Sequence, residues 1–121
     1  FLNNDTVPQP GWLDALLATF DAEPTAGIVG ARLLGPDGRL QESGGAVFAD
    51  GGARNLGRFA DGDDPLYAGL READYVSGAA LAIPRALFEQ LGGFDARYAP
   101  GYYEDTHLAF AVRAAGCRVL V

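Results

Sequence analysis

Stretches with apolar residues at helical spacing alternate with short apolar runs bounded by glycine and proline, and this alternation constrains the chain more than any other feature. Leu13, Leu16, Leu17 and Phe20 fall at i, i+3, i+4 and i+7, which predicts a helix from about Gly11 to Asp21, stopped by Pro24. The run from Gly27 to Leu34 reads as a buried strand, and Gly35-Pro36-Asp37-Gly38 reads as a turn. A second strand is expected over Gly45–Phe48, and a third over Asp74–Ile83. Pro84 suits the first position of the next helix, whose apolar face is Leu87, Phe88 and Leu91 and whose end is Gly92-Gly93. A last helix runs from about Glu104 to Ala115, with Gly116 as its cap and Arg118–Val121 as a terminal strand. Phe1-Leu2 resembles the end of a buried strand, and residues 51–73 form a glycine-rich stretch without clear period. Strands and helices in alternation predict an α/β fold.

The 121 residues are 49% hydrophobic, which excludes a disordered chain and suits one domain with a real core. No apolar run approaches the roughly 18 residues of a membrane span, and the first ten residues lack the basic start of a secretory signal. The net charge is −7, and the nine basic residues, all arginine, are scattered. That pattern argues against nucleic acid and against binding an anionic membrane surface by charge. A lone Cys117 fits a reduced, cytosolic thiol. The absence of methionine, with apolar residues at both ends, leads us to expect an internal piece of a longer protein.

Two acidic places could carry chemistry. Asn3-Asn4-Asp5 follows the first apolar pair, where open α/β sheets bind ligands outside the carboxyl ends of their strands. Asp5 could meet a hard divalent cation through oxygen; the plain alternative is a turn whose side chains bond local backbone. Glu104-Asp105 opens the last helix after an aromatic loop. One of the pair could act as a general base; the alternative is two acids complementing the helix dipole. His107 could be a ligand or a proton carrier, but has no companion cluster of ligands and reads first as a structural histidine, and Asp61-Gly62-Asp63-Asp64 lacks the spacing and closing Glu of a calcium loop and reads as a solvated acidic loop. Trp12 with Tyr98, Tyr102 and Tyr103 could form a platform for stacking sugars, or could anchor loops and core.

Taken in order, NNDT followed by Pro-Gly-Trp-Leu, then YVSGAALAIPR, then GGFD, YYED, a leucine, an arginine, Ala-Gly and a strand, the chain resembles the C-terminal part of the catalytic domain of family 2 glycosyltransferases. The likeness is to the inverting, GT-A type and within it to rhamnosyltransferase-like bacterial members, over nearly all of the chain. It implies an α/β, GT-A-like three-layer sandwich present as its C-terminal portion, with residues 1–121 as a partial catalytic domain whose N-terminal nucleotide-binding half is missing.

The resemblance also implies roles. Asn3-Asn4-Asp5 occupies the place of the family's D-x-D motif, with Asp5 as the retained acid that meets Mg2+ or Mn2+ on the donor's diphosphate, and with Asn3 and Asn4 beside the substrate. Glu104-Asp105 matches the ED motif, Asp105 standing in the base position. Gly78 matches a close-approach site near the donor and acceptor pocket, and Arg113 matches an arginine of the helix after ED. His107 stands where the family often has another Asp, and receives no role.

The implied partners are a nucleotide-diphosphate sugar and a glycan or lipid-linked acceptor of the cell envelope. The implied location is the cytosol, with room for peripheral association of the full-length protein at the inner face of the membrane. On this reading the fragment alone is inactive and its open sheet edges favour self-association. A non-catalytic sugar-binding or interaction domain of the same fold is the alternative. A phosphatase of the haloacid dehalogenase type is disfavoured, because Asn3 stands where that chemistry needs an aspartate nucleophile.

Overall fold

The computed structural model describes residues 1–121. Its centre is a three-stranded mixed sheet. Strand β1 (Ala26–Gly30) lies between β7 (Arg118–Leu120), which runs parallel to it, and β6 (Leu81–Ala82), which runs antiparallel. Helix α1 (Trp12–Ala22) precedes β1, and α3 (Glu104–Ala114) precedes β7; a short helix, α2 (Arg85–Gln90), follows β6.

The period-2 alternation of the strands sends their side chains to two different helices. Ile28 and Val119 pack with Leu108, Ala109 and Val112 of α3, whereas Val29 and Leu120 pack with Leu16, Trp12 and Phe20 of α1. All five residues of β1 are buried, as expected of a strand covered on both faces. A helix on each face of a mixed sheet agrees with the α/β expectation. Gly27 is required by this packing: a Cβ there would collide with Val112 and Cys117.

Two small hairpins extend the molecule beyond the sheet. β2 (Leu33–Leu34) pairs with β3 (Leu40–Glu42) around the Gly35–Gly38 turn, and β4 (Gly45–Val47) pairs with β5 (Ala53–Asn55). The run expected as one strand over Gly27–Leu34 is therefore two, because Leu33 and Leu34 leave the sheet for a hairpin. β3 and β5 lie in segments where no strand was expected; each is only three residues long, too short to show a period.

The largest departure is at Asp74–Ile83. Only Leu81–Ala82 is regular strand; Tyr75 and Ala80 make isolated bridges with Gly45 and Leu2. The physical reason is the fate of three consecutive amides. Ser77 N–H donates to Glu42 Oε1, Gly78 N–H to Asp105 Oδ2, and Ala79 N–H to Ser77 Oγ. Groups committed to side chains cannot join a ladder.

Candidate active site

A cleft of about 740 Å³ opens where four segments meet: Phe1–Asn3, Ser77–Ala79, the loop Pro100–Tyr103, and the start of α3. Asn3 is brought there by the backbone, since its N–H donates to Ala79 O at 2.8 Å and Leu2 bridges Ala80. The Ser77-Gly78 turn that replaces the expected strand forms the middle of the cleft, and Glu104, Asp105 and Thr106 form one wall.

Asp105 is fixed by its surroundings. Oδ2 accepts from Gly78 N–H at 2.9 Å, and Oδ1 accepts from Thr106 N–H at 2.6 Å and from Thr106 Oγ1 at 3.2 Å. A carboxylate has about four acceptor positions. Three are taken here, which leaves one for a hydroxyl entering the cleft. Gly78 lies against this carboxylate: a Cβ at that position would stand 3.7 Å from Asp105 Cβ and 3.8 Å from Oδ2, in ordinary van der Waals contact.

Tyr102 and Tyr103 line the same cleft and hold left-handed backbone, with φ of 77° and 71°. Such residues cost about 1–2 kcal/mol each relative to the right-handed region. Both rings nevertheless remain exposed to solvent, so burial does not offset that cost. Residues held in disfavoured backbone regions cluster at ligand sites.

Glu104 also lines the cleft, with Oε2 buried and lacking a hydrogen-bond partner; His107 Nδ1, one turn further along the helix, is in the same condition. The other aromatic residues are separated from this place. Trp12 belongs to an apolar groove of about 340 Å³ beside α1, and Tyr98 sits against the His107 ring at 5.3 Å.

Of the residues singled out by sequence, Asn3, Gly78, Glu104 and Asp105 therefore share one cleft. Asn4 and Asp5 are exposed on the turn that follows Asn3 and are not part of the cleft lining. Arg113 lies late in α3, away from the cleft, where it pairs with Asp74 at 2.7 Å and stacks on Phe110. Asp74 in turn accepts from Val47 N–H, so this pair ties α3 to the β4–β5 hairpin.

The chain contains no group of three or more His, Cys, Asp and Glu side chains able to hold a metal ion. Hard divalent cations take about six oxygens. Asp5 alone does not fit an ion held by this chain's side chains only.

One acidic residue escaped sequence reading. Glu42 is only 3% exposed, beneath the Ser77-Gly78 turn. Burial, with a smaller push from Asp105, raises its pKa to about 7, against the opposing effects of the Ser77 amide and Arg58. Tyr75, whose hydroxyl donates to Asn55, is likewise pushed up by burial and by the charges of Glu42 and Asp105. The signal for Glu42 was available in principle: Leu40-Gln41-Glu42 alternates, so a strand that buries Leu40 buries Glu42 with it.

The arrangement is a carboxylate held at a helix start beside an open cleft. The chain is 34% identical, over 99% of its length, to the O-antigen biosynthesis protein RfbC of Myxococcus xanthus, of which it spans 10%. It is also 34% identical, over 94% of its length, to the N-acetylglucosaminyl-diphospho-decaprenol L-rhamnosyltransferase of Mycobacterium tuberculosis, spanning 40% of that protein. Identity to the pre-mycofactocin glycosyltransferase of the same organism is 30%, over 98% of the chain and 24% of the relative. The resemblance to rhamnosyltransferase-like glycosyltransferases thus extends along nearly the whole chain, which spans less than half the length of each of these relatives. No protein-family model and no solved structure matches it.

Proposed function

We propose that this chain forms part of the catalytic domain of an inverting, family 2 glycosyltransferase of GT-A fold, which moves a sugar from a nucleotide-diphosphate donor to a hydroxyl of a cell-envelope glycan or lipid-linked saccharide. The observation that carries this reading is Asp105, which keeps one acceptor position unused and lines a cleft shared with Asn3, in a chain similar to named sugar transferases.

In this mechanism Asp105 accepts the proton of the acceptor hydroxyl as its oxygen attacks the anomeric carbon. Carboxylates serve in this way because the hydroxyl becomes acidic as the new bond forms. The carbon–oxygen bond to the diphosphate breaks on the opposite face, so one displacement inverts the centre, and no second carboxylate positioned for a covalent intermediate is needed. Gly78 leaves space for the acceptor beside Asp105, and Tyr102 and Tyr103 offer ring faces to a sugar. Asp5 would hold Mg2+ or Mn2+ against the donor diphosphate. When bound, the ion stabilises charge on the leaving group.

The reading is tested with the full gene product and a panel of nucleotide sugars. Asp105→Asn keeps the side chain's size and is expected to lower transfer by about 100-fold or more, the usual worth of a general base, while nucleotide binding is unchanged. Transfer at the normal rate in that variant would remove Asp105 from the chemistry. Nucleotide-sugar binding without transfer by the unaltered protein would favour the non-catalytic sugar-binding alternative. Asp5→Ala and a chelator are each expected to weaken donor binding; indifference to both would overturn the assignment of the ion to Asp5.

A further inference from the structure

Glu42 is the one acidic side chain among the buried residues. A carboxyl group in such a place costs stability that an apolar side chain of similar size would not. Its single hydrogen bond is to a place that matters. Oε1 accepts from Ser77 N–H at 3.1 Å, and the very next amide, Gly78 N–H, holds Asp105 Oδ2 at 2.9 Å. One carboxyl from β3 and one from α3 thus grip consecutive amides of the same turn. The other charged or titratable groups that act on Glu42 are Arg58, after β5, and Tyr75, before the turn.

We propose that Glu42 is a positioning residue for Asp105: by anchoring the Ser77 amide it fixes the Gly78 amide that orients the Asp105 carboxylate toward the cleft. The proposal rests on the reading of Asp105 as the base. Displacing a reacting group by about 1 Å costs on the order of 100-fold in rate, so a contact one peptide away is close enough to matter. The two acids also sense each other's charge across the turn. Because the two carboxyls hold consecutive amides of one turn, a change at Glu42 reaches the Gly78 N–H that holds Asp105 Oδ2.

Two measurements on the full gene product test this. In transfer kinetics, Glu42→Ala, which removes the anchor, is expected to lower kcat by about 10- to 100-fold, within the range for a misplaced group, with little change in the donor KM. Glu42→Gln keeps an oxygen for Ser77 N–H and is expected to recover most of the loss. An unchanged kcat in Glu42→Ala, or a Gln variant as slow as the Ala variant, would overturn the positioning role.

The second measurement needs no sugar and no Ala variant. The carboxyl carbon-13 resonance of Asp105 is expected to show a step near pH 7 in the unaltered protein, when Glu42 ionises, and to lack it in Glu42→Gln. A step that persists in Glu42→Gln, or no step in the unaltered protein, overturns the coupling. Should Asp105→Asn retain transfer, the base reading fails, and the resonance still decides whether the two acids are linked.

Discussion

Replacing Glu42 by glutamine should change how stability depends on pH, and the size of the change follows from the structure. Glu42 keeps its proton to about pH 7 in the folded protein, against 4.5 for an unperturbed glutamate, chiefly because it is buried. Between those values the folded state binds more protons than the unfolded one. Stability is then fully present below about pH 4.5 and declines as pH rises through 7. The gap from 4.5 to about 7, at about 1.4 kcal/mol per pH unit, corresponds to on the order of 3 kcal/mol. Solvent screening reduces this little, since the side chain is nearly inaccessible.

Glutamine has no proton to lose. Urea unfolding of both proteins from pH 4.5 to 8.5 should therefore show near-equal stability at the acid end and an advantage of about 3 kcal/mol for Glu42→Gln at the basic end. Groups that titrate in both proteins cancel in the difference. Parallel stability curves across this range would refute the burial-driven shift, and with it the placement of Glu42 beneath the turn.

Two further outcomes follow from the packing and the backbone. Gly27→Ala should destabilise the fold by about 1–3 kcal/mol, the usual cost of overpacking, because the added methyl meets Val112 and Cys117 between β1 and α3; thermal or urea unfolding checks it. Tyr102→Gly should raise stability by up to about 1 kcal/mol by relieving left-handed backbone, at a position 85% exposed, while weakening binding of a glycan acceptor; a loss of stability would mean that the ring holds the loop together.

How much of this was legible in the sequence depended on element length and on where the backbone amides go. Helices α1 and α3 were readable, to within a few residues, because their apolar residues repeat over enough positions to show a period, and β1 and β7 because each is an apolar run beside a glycine that breaks the neighbouring segment. Strands β3 and β5 were not, because three residues cannot display one. The stretch Asp74–Ile83 is apolar enough to read as continuous strand, yet its middle amides bond to Glu42 and Asp105, whose side chains arrive from β3 and α3. Contacts between residues 27 and 35 positions apart leave no local trace.

The same reasoning applies to the site. Asn3, Gly78, Glu104 and Asp105 could be named from motifs, and the fold gathers them into one cleft. Glu42 lay in no motif, and only the alternation of Leu40 and Glu42 hinted that it is buried. Arg113 stands at the expected motif position, but its helix turns it toward Asp74 rather than the cleft.

A crystal structure of the full gene product with a nucleotide-diphosphate sugar and an acceptor analogue bound tests the role of Asp105 at the reacting atoms themselves. The acceptor oxygen should sit within hydrogen-bond reach of Asp105 and about 3–3.5 Å from the anomeric carbon, with the diphosphate toward Asp5. A sugar bound with its anomeric carbon outside the cleft that Asn3 and Asp105 share would contradict the mechanism.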